Sequence, residues 1–261
     1  MADSNATAVS VQQPLLLVWL SLFRVANLPT VFSNVLTGWI LAIGYQPQEK
    51  TLHAVFVPWR LWLAAAIIYS AGMLLNDVFD APWDAQNRPE RPIPNRAVSR
   101  KTAAWVGALM LMAGLVLMID RPVSHPLPLA STLGLILCVL GYNALHKNRP
   151  WGAIASLPLM GLCRGFVVLM AGAVVVHAWD ALNLVFWIYT TILTIYTSAL
   201  TWFAQSEHIK PTRKKIVPNL IAGMCLVDAL TLWLAGHGPL VIGPVIFGGM
   251  TLFLQRRLSS T

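Results

Sequence analysis

Eight stretches of this chain are apolar almost without interruption: about 26–44, 59–77, 102–119, 128–145, 153–176, 183–204, 216–235 and 238–255. Each matches the ~20 residues a helix needs to cross a hydrocarbon core about 30 Å thick. Runs such as 61–70 and 165–176 are apolar all round. They lack the period-two alternation of a barrel strand, so the pattern predicts helices, whose backbones satisfy their own hydrogen bonds in lipid. The expected fold class is an all-α, polytopic transmembrane helical bundle. Only Gly236-His237 separates the last two stretches, which leaves the count of eight open by one. Residues 14–24 are apolar but too short to span, and read as an interfacial lead-in. The domain reading is a tail and lead-in at 1–25, a membrane domain at 26–255 and a short tail at 256–261.

Composition narrows the picture. Charged residues make up 11% of the 261 and hydrophobic ones 57%, whereas a soluble domain carries about a quarter charged. A soluble globule has no interior for so much apolar surface, and a disordered chain does not contain it. The three cysteines, Cys138, Cys163 and Cys225, lie in apolar stretches without paired spacing and carry no metal or redox signal. Residues 1–13 hold Asp3 and no basic residue, so the start does not read as a signal peptide. The net charge is +8. With the N-terminus inside, Arg24, the 88–101 loop, Lys147, Arg149, the 210–215 loop, Arg256 and Arg257 gather fourteen cations on the cytoplasmic face. Lys50, Arg60 and Arg121 fall on the other side, and Arg164 inside a span. This bias predicts an even number of spans with both termini cytoplasmic. Orientation thus accounts for the charge, and nucleic-acid binding is excluded.

Three of the ten acids crowd together just past the second span, in Asn76-Asp77-Val78-Phe79-Asp80-Ala81-Pro82-Trp83-Asp84. Positions 77, 80 and 84 share one helix face. Three carboxylates so placed need a positive partner, and Mg²⁺ favours carboxylate oxygens shared with substrate phosphates. Pro82 removes the backbone bond back to Val78 within the motif. Arg88 and Arg91 follow in a loop stiffened by Pro89, Pro92 and Pro94, and guanidinium matches phosphate geometry. Simple solvation of the acids and membrane anchoring by the arginines are the plain readings. Acids suited to a metal beside bases suited to phosphate point instead to a metal–diphosphate site.

The string NDVFDAPWDAQNRPERPIP at 76–94 resembles the first aspartate-rich motif of the UbiA-type intramembrane prenyltransferases. Arg24-Val25-Ala26-Asn27 and Asn34, Tyr142 with Lys147, Gly161–Gly165, and Lys215–Pro218 are similar to that family along the rest of the chain. The resemblance implies a bundle around a central, lipid-accessible cavity with a cytoplasm-facing site. An allylic isoprenyl diphosphate would dock there through Mg²⁺, ionise, and alkylate a hydrophobic or aromatic acceptor. It makes Asp77, Asp80 and Asp84 the catalytic metal ligands. Asn76, Arg88, Arg91, Lys147, Arg164, Tyr142 and Asn34 become the substrate-binding residues. Arg164 lies within a span, where a charge faces a polar interior; it meets substrate or pairs with Asp228, the acid available inside the membrane. His125, His177 and His237 have no partners at ligand spacing.

The chain departs from the family where a second aspartate-rich motif is expected. Trp202 to Lys215 contains no Asp, and Glu207 is its one carboxylate, with Lys210 three residues on. Glu207 either ligates a Mg²⁺ or pairs with Lys210 or Arg213. The family's ninth span is missing, and the Ser206-Glu207 substitution is similar to the Ebo-cluster (EboC-like) branch. This departure motivates a second class of function, a non-catalytic binder or carrier of an isoprenoid phosphate or hydrophobic metabolite. An ion-coupled transporter is disfavoured, since its acids belong near the midplane.

Overall fold

The computed structural model describes residues 14–44, 57–119, 125–146, 151–176, 178–205 and 211–258. Among them are nine α-helices and no strand. They are α1 (Leu15–Leu22), α2 (Leu28–Ile43), α3 (Trp59–Asn87), α4 (Arg100–Leu117), α5 (Leu127–Leu145), α6 (Trp151–Val175), α7 (Leu184–Gln205), α8 (Pro211–Leu234) and α9 (Ile242–Leu258). Eight are long and apolar enough to cross a membrane, the first counted from Val25. The expected spans are therefore present, and the chain is an integral, multi-pass membrane protein.

Sequential helices pack as neighbours from α3 to α9, and α2 runs through the centre, touching α3, α6, α7, α8 and α9. Its Val31 and Val35 are wholly buried against Leu61, Ile68 and Ala71 of α3 and Met170 and Ala171 of α6. The outside is as apolar as the inside: Leu109 and Met112 on α4, Leu226 and Leu230 on α8 and Phe253 on α9 are all exposed. Lipid is the solvent such a surface matches. Small residues bring the helices close. Ala103, Gly107 and Gly114 line the buried face of α4, where a Cβ on Gly107 would meet Leu75. Gly161 and Gly165 do the same for α6 against Thr194 of α7, as their G-x-x-x-G spacing allows.

Two features set up the functional end. First, α3 is 29 residues long, about 43 Å at 1.5 Å per residue, and so outruns the hydrocarbon core. The second span does not stop near Asp77; the helix continues through Pro82 and carries the acids to the membrane boundary. Second, α1 lies across that end. Its buried Val18 and Leu22 join Leu74, Val78 and Ala81 of α3 with Ile93 and Val98 of the following loop, while Leu15 and Leu16 face outward. Residues 15–22 of the stretch read as a lead-in thus form a short helix packed on α3.

Candidate active site at the end of the third helix

Pro82 cannot donate to the carbonyl of Val78, four residues back. The structure fills that vacancy: Arg100 Nε donates to Val78 O at 2.9 Å. The 88–98 loop is tied by turn hydrogen bonds, Arg91 N to Arg88 O at 3.1 Å and Ala97 N to Pro92 O at 2.9 Å. It is seated by Ile93 and Val98 in the α1–α3 core, then passes into α4 through Ser99, whose Oγ caps Thr102 N. Arg96 takes a left-handed backbone in this turn, with φ 62°. Folded so, the loop lays Arg91 back along α3.

Asp77, Asp80 and Asp84 are all buried, so their plain solvation is ruled out. Arg91 Nη1 lies 3.2 Å from Asp77 Oδ1 and 3.0 Å from Asp84 Oδ2. One cationic nitrogen therefore joins both carboxylates. Arg24 adds a second charge, its Nη2 3.5 Å from Asp77 Oδ1. Its backbone is left-handed at φ 50°, a conformation that costs a non-glycine residue about a kcal/mol or more and tends to cluster at functional sites. Asp80 takes a different partner: its Oδ1 lies 2.8 Å from His146 Nε2 at the end of α5. Asp77 and Asp84 thus share Arg91, while Asp80 meets His146. Among the described residues no three His, Cys, Asp or Glu side chains converge on one point as a ready cage. Asp84 Oδ1, though buried, has no hydrogen-bond partner among them. An orphaned carboxylate oxygen next to a shared cation position is compatible with a hard divalent ion.

The other expected site residues divide into groups. Asn76 Nδ2 donates to Asn143 Oδ1 at 3.1 Å, and Asn143 Nδ2 to Gly72 O at 3.2 Å. This clasp joins α3 to α5 beside the acids. Tyr142 stacks on His146, centroids 5.0 Å apart and planes at 7°, and so belongs to the site through that ring. Arg88 lies over Trp83, 5.6 Å from its centroid. Phe79, Trp83 and Trp202 are exposed on the outer surface. Lys147 and Glu207 lie outside the described residues.

Asn34 and Arg164 are placed elsewhere, about two helical turns inward. Arg164 Nη1 donates to Asn34 Oδ1 at 2.9 Å and Nη2 to Thr30 Oγ1 at 3.0 Å, with its Cζ 5.4 Å from the Tyr69 ring centroid. Asn34 Nδ2 in turn donates to Asp228 Oδ2 at 2.9 Å, which also accepts from Ser33, while Asp228 Oδ1 accepts from Tyr189 at 2.7 Å. Asn34, expected on the substrate, spends its amide and its oxygen inside the protein. Arg164 reaches Asp228 through it, so the internal pairing exists in relayed form. A cleft of about 320 Å³, lined by Ser131, Phe166, Trp179 and Trp187 among others, opens at the opposite end of the bundle. It is not the cavity expected beside the acids.

Sequence reasoning passed over Arg24 and His146 as site residues. His146 stands four residues after Tyr142 at the same end of the bundle as the acids, which is the signal that was there to read.

The sequence pattern of the UbiA prenyltransferase family matches residues 31–258. The chain belongs to the UbiA prenyltransferase family. Curated relatives include the digeranylgeranylglyceryl phosphate synthase of Methanoregula boonei, 32% identical over 151 residues, covering 58% of this chain and 50% of that protein. The synthase of the same name from Pyrococcus abyssi is 44% identical over 107 residues, covering 39% and 34%. This UbiA-family chain spans about half the length of such relatives, or less. Among solved structures, one described as giving insight into digeranylgeranylglyceryl phosphate synthase in membranes superposes with TM-score 0.53 at 17% identity, over 94% of this chain and 93% of that one. A UbiA homologue from Archaeoglobus fulgidus bound to GPP and Mg²⁺ gives 0.50 at 12% identity, over 93% and 98%. These likenesses establish the fold.

Proposed function

We propose that this chain is an intramembrane prenyltransferase that moves an isoprenyl group from an allylic isoprenyl diphosphate to an acceptor, with its site at the cytoplasmic end of α3 and both termini on that side. The observation that carries the reading is the paired geometry of Asp77 and Asp84 around one cationic nitrogen, with Asp84 Oδ1 left unpartnered. Asp77 and Asp84 would hold Mg²⁺, with Asp80 alongside and Glu207 as a further candidate from the next loop. A Mg²⁺ held there would supply positive charge to offset that of the departing diphosphate. Arg91 and Arg24, released from the carboxylates, are placed to bind the phosphate oxygens, with Arg88 and Lys147 as further cations. The allylic C–O bond breaks with its electron pair leaving on the diphosphate, the acceptor's electron pair forms the new bond to carbon, and the acceptor gives up a proton. Burial of the acids limits water at the site, which would otherwise capture the cation.

The relatives' name makes a prenylated glyceryl phosphate the first acceptor to try, beside the hydrophobic and aromatic acceptors the motif suggests. The Ser206-Glu207 sequence supports a place near the Ebo-cluster branch. The test is pyrophosphate release by purified protein in nanodiscs with allylic diphosphates of graded length, Mg²⁺ and a panel of acceptors. Release that disappears in Asp84→Asn supports the enzyme; tight binding without release across the panel supports the carrier reading instead.

A further inference from the structure

The reading above leaves His146 without a role, although it lies closer to the acidic trio than Arg91 or Arg24 does. Its Nε2 lies 2.8 Å from Asp80 Oδ1, and both side chains are nearly enclosed, at 10% and 8% exposure. The ring is fixed from two further directions. Nδ1 lies 3.2 Å from the carbonyl oxygens of Tyr142 and Asn143 in the last turn of α5, and the Tyr142 carbonyl also accepts from the His146 backbone N at 3.0 Å. One face stacks on Tyr142, 5.0 Å between centroids. The Asn76–Asn143–Gly72 clasp sets the separation of α3 and α5 next to it. The imidazole is therefore held before it meets Asp80, and the carboxylate takes its orientation from the ring.

Resting on the reading of this end as the metal–diphosphate site, we propose that His146 is a positioning residue that aims the Asp80 carboxylate for metal binding. Arg91 joins Asp77 to Asp84, and His146 plays the corresponding part at Asp80 Oδ1. Hydrogen-bond partners behind metal-ligating groups are worth about 10- to 100-fold in metal affinity.

The experiment uses full-length protein in nanodiscs and Mn²⁺ alone as the probe, its binding followed by electron paramagnetic resonance. His146→Ala is expected to weaken Mn²⁺ binding about 10- to 100-fold, while His146→Gln, which keeps an N–H donor, recovers most of the loss. His146→Phe keeps the stack on Tyr142 and removes both nitrogens, so it must weaken binding as His146→Ala does and decides the matter if the alanine variant does not fold. In an Asp80→Asn background, His146→Ala should change nothing further. Wild-type Mn²⁺ affinity in His146→Phe, with weakened affinity in Asp80→Asn, overturns the role of His146 and leaves the site intact. Wild-type affinity in Asp77→Asn, Asp80→Asn and Asp84→Asn alike overturns the site itself.

Discussion

Replacing Asp228 with Ala removes the acceptor on which three helices converge. Asp228 is wholly buried on α8 and accepts from Ser33 and Asn34 of α2 and from Tyr189 of α7. Hydrogen bonds between membrane helices average about 0.6 kcal/mol each, so three lost donors set a floor of roughly 2 kcal/mol. Asn34 also carries Arg164, which is 8% exposed. Without Asp228 that guanidinium loses the negative end of its relay, and breaking a buried charge pair costs about 3–5 kcal/mol. The expected destabilisation is thus about 2–5 kcal/mol, or roughly 4–20 °C in Tm at ~2–4 °C per kcal/mol. Asp228→Asn, keeping one acceptor oxygen, should fall between wild type and Ala. The assay is thermal unfolding of the purified protein in one detergent, followed by tryptophan fluorescence. A Tm for Asp228→Ala within a degree or two of wild type would refute the idea that this network locks α2, α7 and α8 together.

Further outcomes follow from the site and its scaffold. Arg91→Gln should act in opposite directions on two ligands. It tightens Mn²⁺ alone about two- to fivefold by removing a partly exposed competitor worth up to about 1 kcal/mol, and it weakens inorganic pyrophosphate with Mg²⁺ about tenfold or more by removing a charged donor. Calorimetry on both ligands reads the signs. Arg100→Met strands the Val78 carbonyl beside Pro82 and should cost about 1–3 kcal/mol of stability in the same fluorescence assay. Gly165→Leu forces a Cβ to 2.6 Å from Thr194 Oγ1 and should cost about 1–3 kcal/mol by overpacking α6 on α7, visible as a lowered Tm.

How far the sequence led depended on whether a feature was local. The spans were legible because lipid imposes a twenty-residue apolar rule on each segment separately. The same locality made the shared face of Asp77, Asp80 and Asp84 legible, and the carbonyl left free by Pro82. What answers these features comes from far along the chain and has no local signature. Arg24 reaches Asp77 across 53 positions, and His146 reaches Asp80 across 66. Arg24 carries no mark as a partner, since a basic residue at a span end is already explained by orientation, and the sign at His146 is only its place four residues after Tyr142. Asn34 shows the converse case, a side chain whose partners inside the protein have no local sign. It sits on the first span where the family resemblance marks a substrate contact, yet its partners, Arg164 and Asp228, lie 130 and 194 positions away. Hydropathy falls at Asp77, whereas α3, its acids paired with Arg24, Arg91 and His146, continues to Asn87.

The central claim is that the acids at the end of α3 bind a phosphorylated isoprenoid through a divalent metal. Titration of geranyl diphosphate into the nanodisc protein, with Mg²⁺ and then with excess EDTA, tests it most directly. Binding that needs Mg²⁺ in the wild type and is lost in the Asp77→Asn, Asp84→Asn double variant is the predicted result. Equal binding with and without metal, or undiminished Mg²⁺-dependent binding in the double variant, would contradict it.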